Sequence, residues 1–137
     1  MLTAETIQKY KGKSETFLTA KAQKLVNDYV RKRDAINDEG DFICISCSKL
    51  KPKKHCQAGH FYSRKNYNYV RFDLDNINAE CDYCNGFNDD HLIGYKKNLL
   101  KKIGVERFER LETLANLKGF KYNRLMLIDI IERFKKL

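Results

Sequence analysis

A chain of 137 residues with 42% hydrophobic side chains can bury one modest core, and 33% charged residues leave little for a second. A formal charge of +9 and a mean hydropathy of −0.63 turn the surface towards anionic partners. Residues 1–13 hold no apolar run, which argues against a signal peptide or membrane span there, so an intracellular protein is expected. The charge is unevenly spread. Residues 92–137 carry 12 Lys/Arg against five Asp/Glu, whereas the stretch from Asp73 to Asp90 carries six acids and no base. Such a separation predicts one phosphate-binding side and one cation-attracting side.

In chain order, the spacing of Phe17, Leu18, Leu25, Val26, Tyr29 and Val30 predicts a helix over 14–36, capped by Ser14. Phe42-Ile43 reads as a short strand, and residues 48–55 as a basic loop carrying the sole proline, Pro52. A strand is expected around Gly59–Tyr62, a turn-rich stretch over Ser63–Asn68 and a second strand over Val70–Phe72. Asn76 then falls in a turn, and the segment after Cys81 should open a helix. Leu92, Tyr95, Leu99, Leu100 and Ile103 mark a further helix ended by Gly104; another covers about 105–117, stopped near Gly119. The last, from Asn123 to the end, carries Leu125, Met126, Leu127, Ile128, Ile130, Ile131 and Phe134, a stripe wide enough to suggest burial on two sides and hence a homodimer.

Two hooks, Cys44-Ile-Ser-Cys47 and Cys81-Asp-Tyr-Cys84, supply the four thiolates of a closed structural zinc site. Thirty-three residues separate them, enough for an inserted functional segment. A second ligand set is open: Cys56 and His60 have Cys-x3-His spacing and could complete zinc with the first hook. Otherwise His60 is the candidate general base, since neutral imidazole can take a proton from water near pH 7. Phosphodiester hydrolysis also calls for a hard divalent cation, Mg2+ or Mn2+. Asn85, directly after the second hook, could offer it an amide oxygen, with Asn88, Asp89 and His91 as further ligands. Asn76 could bond backbone across its loop and fix the histidine-bearing strand. Arg64, Lys65 and Arg71, with Lys53 and Lys54, are the candidates to hold DNA phosphates.

The run Cys44-Ile-Ser-Cys47, Gln57-Ala-Gly-His60-Phe-Tyr-Ser-Arg64, Val70-Arg-Phe72, Asn76 and Glu80-Cys-Asp-Tyr-Cys-Asn85 resembles the NinG family of lambdoid phages, also called Rap. Tyr29-Val-Arg-Lys-Arg-Asp34 and Gly94-Tyr-Lys … Lys102-Ile-Gly104 extend the resemblance over roughly residues 20–112. The Cys-x-x-Cys-Asn ending is also similar to phage endonuclease VII, a junction resolvase with four zinc cysteines and an asparagine metal ligand. The resemblance implies a phage or prophage recombination nuclease of HNH-like ββα-metal fold, cutting D-loops and Holliday junctions in the bacterial host cytoplasm. It makes His60 the base, Asn85 the ion ligand and Asn76 the HNH asparagine. The chain departs from the pattern at Gly59, where many HNH sites place an acid or histidine, and at Asn85, where many place a histidine. Asp73, Asp75, Asp89 and Asp90 are the candidates for the missing carboxylate.

The expected fold class is therefore α+β: a small zinc-stabilised ββα-metal core flanked by an N-terminal helix and about three C-terminal helices. Residues 1–41 would form a helical arm, 42–92 the nuclease core and 93–137 a basic helical region, all in one compact domain. The expected function is a divalent-metal-dependent, structure-selective DNA endonuclease, with branched DNA and phage recombinase proteins as partners and no membrane. The alternative is a non-catalytic zinc module binding branched DNA or a recombination partner, and a third reading is a zinc-stabilised interaction adaptor using the last helix.

Overall fold

The structure, a computed structural model, describes residues 2–137. A short helix, α1 (Ala4–Lys9), precedes α2 (Glu15–Asp34), whose N-terminus is capped by Ser14 Oγ accepting from Phe17 N at 3.0 Å. Leu18, Ala22, Val26 and Val30, each four residues apart, are fully buried and give α2 a single apolar face. Onto that face packs the last helix, α6 (Arg124–Lys135), through Leu127, Ile128, Ile130 and Ile131. Tyr10, after α1, closes over the same cluster and donates to Glu132 at 2.5 Å. Leu127, Ile128, Ile130 and Ile131 of the wide α6 stripe thus find their cover within the chain, while Leu125 and Met126 of the same stripe stay exposed.

Between these helices lie two small antiparallel hairpins. Strands β1 (Phe42–Ile43) and β2 (Leu50–Lys51) pair around the first cysteine hook. Strands β3 (Cys56–His60) and β4 (Ile77–Cys81) pair in the register Cys56↔Cys81 to His60↔Ile77. A one-turn helix, α3 (Asp82–Gly86), follows β4 directly and is succeeded by α4 (His91–Ile103) and α5 (Val105–Ala115). Gly104 separates the last two with φ at +84°, a conformation that disfavours any side chain. The α+β class expected from the sequence holds, with a hairpin-plus-helix centre, one long helix before it and three after it.

One strand does not lie where the sequence suggests. Residues 68–70 form a 3-10 turn, and Val70 and Phe72 enter the two helical cores as buried anchors. The second strand is Ile77–Cys81, after Asn76. Every residue of it is buried, so it shows no in–out alternation, and its Asn78 and Glu80 imitate a loop. The first strand also begins three residues earlier than expected, at Cys56.

Of those buried polar residues, Asn78 and the backbone beside it are satisfied by α2 and α4. Arg33 donates to the carbonyls of Leu74 and Ile77 and to Asn78 Oδ1. Asp34 Oδ2 accepts from Ala79 N at 2.9 Å, and Lys102 bridges Asp34 Oδ1 and Asn78 Oδ1. Burial alone would raise the Asp34 carboxyl, but hydrogen bonds from Arg33 and Lys102 hold it below the usual carboxylate range.

Candidate metal centre and the cavity beside it

The four sulfurs of Cys44, Cys47, Cys81 and Cys84 lie within 4.8 Å of one another, with Cys47 and Cys81 at 3.9 Å. A tetrahedral ion about 2.3 Å from each sulfur requires separations of roughly 3.8 Å, so the group can hold a metal such as zinc. Each hook bends sharply to do this. Ser48 takes φ +64° to close the first, and Cys44 Sγ accepts from the backbone nitrogens of Cys47 (3.5 Å) and Cys81 (3.2 Å). Burial pushes the Cys44 thiol up to about 11 and Cys84 higher still. Cys44 and Cys84 thus give up their protons only against a compensating cation. Cys56 stands outside the group, buried at the start of β3, and the alternative set of Cys56 and His60 with the first hook does not assemble.

His60 ends β3. Its Nε2 lies 2.8 Å from Arg71 O, and since a carbonyl only accepts, Nε2 carries the proton and Nδ1 keeps the lone pair. Burial drives the ring well below its ordinary value, to about 4, against the smaller opposing effect of that hydrogen bond. It is a neutral imidazole at physiological pH. The loop that supplies Arg71 O is held by Asn76, which is fully buried. Its Oδ1 accepts from Tyr62 N at 2.8 Å, while Nδ2 donates to Tyr62 O at 3.0 Å and Val70 O at 3.1 Å. Asn76 thus stitches both ends of the segment 62–70, as the sequence suggested, although it precedes β4 rather than α3.

His60 opens into a cavity of about 370 Å3 that runs over the free edge of β3. It is lined by Asn27 and Arg31 of α2, by Ser63 and Arg64 after β3, and by Asn85 and His91. Four sequence candidates, His60, Arg64, Asn85 and His91, therefore share one open site. Asn27 and Arg31 were not singled out from the sequence; the signal was the Tyr29–Asp34 run, whose Arg31 also donates to Cys56 O.

Beneath His91 sits a carboxylate that sequence reasoning passed over. Glu80 is fully buried on β4, where Oε2 accepts from Ser46 Oγ and from His91 Nδ1 at 2.5 Å. Its other oxygen, Oε1, is buried with no hydrogen-bond partner. A Cβ built on Gly59 would overlap Oε1, so the glycine is what makes room for it. Helix α4 is locked over the same spot. Gly94 meets Ser46 O so closely that no side chain fits, and the buried Tyr95 donates to Gly59 O at 2.6 Å.

The remaining candidates disperse. Asp75 is paired with Arg107 and Asp73 with Arg110, both from α5, so these carboxylates serve helix docking. Asp89 and Asp90 are exposed, and Asn88 turns its amide towards Cys84 Sγ at 3.8 Å. Arg71 is tied by Nε to Gln23 Oε1 at 2.9 Å. Arg64 and Lys65 project freely from the loop after His60, whereas Lys53 and Lys54 stand at the far end of β3, where Lys53 lines a separate cavity with Arg31 and Cys56.

A family model described as Bacteriophage Lambda NinG protein matches residues 3–137. The chain belongs to the NinG family. The match takes in α1 and α6, beyond the window in which the sequence resemblance was read. Among curated NinG proteins, those of Escherichia phage 933W and Escherichia phage lambda are 32% and 31% identical to it over 110 residues. The protein ninG of Salmonella phage P22 is 31% identical over 107 residues. These alignments cover 80%, 80% and 78% of the chain but only 52%, 51% and 50% of the phage proteins, so this NinG-family chain spans about half the length of the curated relatives it matches. No solved structure matches it. Among the described residues, no helix is long and apolar enough to cross a membrane.

Proposed function

We propose that this chain is a divalent-metal-dependent, structure-selective DNA endonuclease of the HNH-like ββα-metal kind, acting on Holliday junctions and D-loops during phage recombination in the host cytoplasm. The observation that carries the reading is the convergence of a neutral, carbonyl-anchored His60 and Asn85 on one open cavity beside a four-cysteine metal centre. In this scheme His60 Nδ1 takes a proton from the attacking water while Nε2–H stays on Arg71 O. Asn76 keeps that carbonyl in place and so acts as a positioning residue. Asn85 would hold Mg2+ or Mn2+, which when bound supplies charge neutralisation at the scissile phosphate. Arg64, Lys65 and Arg31 stand where phosphates flanking the cleaved bond would pass. Zinc on the four cysteines is structural. The basic surface of α4, with Lys96, Lys97 and Lys101, would add affinity without base readout, and a homodimer would present two sites to a four-way junction.

The test is cleavage of labelled Holliday junction, D-loop and linear duplex with Mg2+, Mn2+ or EDTA. Branched-selective, cation-dependent cutting should fall at least about 100-fold in His60→Ala protein that retains its zinc. The second reading, a non-catalytic zinc module for branched DNA or a recombinase, is favoured by Gly59, which leaves the first strand without a carboxylate. Tight junction binding with no cutting under either cation would establish it.

A further inference from the structure

The cavity's deficit is a cation ligand. Asn85 alone is a neutral donor, and of the four acids named as candidates two are bound to arginines and two face solvent. Glu80 and His91 have the form that a metal-binding pair takes. Metal-ligating imidazoles commonly donate one ring N–H to a carboxylate, which fixes the ring and raises the basicity of the other nitrogen. Here Nδ1 of His91 points down to the fully buried Glu80. The opposite ring edge, with Nε2, is the side left to the cavity that His91 lines, and Nε2 makes no hydrogen bond to any described residue.

A purely structural ion pair accounts poorly for Glu80. Its Oε1 is buried without a partner, which an ion pair with His91 alone does not call for. Its place also matters, because Oε1 fills the volume that a side chain at position 59 would take, directly before His60. A carboxylate thus reaches the neighbourhood of the base from β4, across the hairpin.

Building on the nuclease reading, we propose that His91 Nε2 and Asn85 Oδ1 together bind the divalent cation, with Glu80 as the buried positioning residue that orients His91 and provides the negative charge. A mixed nitrogen and oxygen donor set of this kind suits Mn2+ at least as well as Mg2+. Water and substrate phosphate would complete its coordination.

The experiment is Mn2+ titration of the zinc-loaded protein, with free Mn2+ read by electron paramagnetic resonance and no DNA present. Wild type should bind one Mn2+. His91→Ala and Asn85→Ala should each weaken that binding tenfold or more. Glu80→Gln, which keeps the shape and removes the charge, should weaken it by about 10- to 100-fold with zinc content unchanged. Wild-type affinity in His91→Ala overturns the proposal, as does a wild type that binds no Mn2+ at millimolar concentration. If Glu80→Gln fails to fold, His91→Ala still decides, since His91 is partly exposed at the first position of α4. Failure is separable from failure of the nuclease reading: full cutting by His60→Ala sinks that reading, whereas unchanged Mn2+ dependence of cutting in His91→Ala sinks this one alone.

Discussion

His60 carries an acid-sensitivity of its own. The unfolded chain takes up a proton near pH 6.5, but burial keeps the folded ring neutral down to about 4. Between these values the unfolded state binds more protons, so stability falls as pH falls, by on the order of 3 kcal/mol across the whole window. Four cysteines holding a metal such as zinc would respond to acid as well, so the check is a comparison: urea midpoints at pH 7 and pH 5 should move less in His60→Gln than in wild type. Asn76 predicts a different loss. Removing its amide orphans Tyr62 N, Tyr62 O and Val70 O, and Asn76→Ala should cost about 3 kcal/mol or more by urea denaturation. That Asn76 would bond backbone across its loop was legible in the sequence because such bonding depends on residue type and turn position. The position of Glu80 was not, because it is set by packing diagonally across the hairpin against a glycine that sequence order places 21 positions earlier.

At the scale of elements, the hooks were legible and the strand between them was not. Cysteine spacing dictates the knuckles directly, whereas β4 is defined by the partners that surround it. Arg33, Asp34 and Lys102 lie 44, 45 and 24 positions from the residues they satisfy, beyond the reach of any local pattern. Helix α4 links the two halves of the site. Asn98 Nδ2 donates to Ile45 O at 2.7 Å, and Gly94 rests on Ser46 O. Gly94→Ala should push α4 off the first knuckle, destabilise the protein by about 1–3 kcal/mol and speed zinc release to a chromogenic chelator. Stripping the metal should do more. Structural zinc contributes on the order of 10 kcal/mol of binding free energy, so the chelated protein should lose the cooperative thermal transition seen by circular dichroism.

For the whole molecule, the surplus of positive charge in the last third is partly consumed internally. Arg107 and Arg110 hold Asp75 and Asp73, and Arg124 donates to the carbonyls of Tyr10 and Lys13. Lys97, Lys101 and Lys121 stay exposed, while Lys96 and Lys118 rest over the rings of Phe108 and Tyr67 with their charge still facing solvent. Junction affinity should therefore fall about a thousandfold between 50 and 200 mM salt if some six phosphates are contacted, as read by fluorescence anisotropy. Arg107→Ala should lower stability and leave that salt slope unchanged. The helical apolar periodicity of α2 and α6 was plain in the sequence. That the two stripes cover each other was not, because an apolar face names no partner.

Positions 59 and 80 occupy a single volume, so the hairpin has room for one acid there and a choice of strands to carry it. Lineages using either strand would be separated by an awkward passage. An acid arriving at 59 first collides with Glu80, while losing Glu80 first leaves His91 without its anchor. The two positions are expected to change together, and Gly59→Asp should be tolerated only alongside Glu80→Gly.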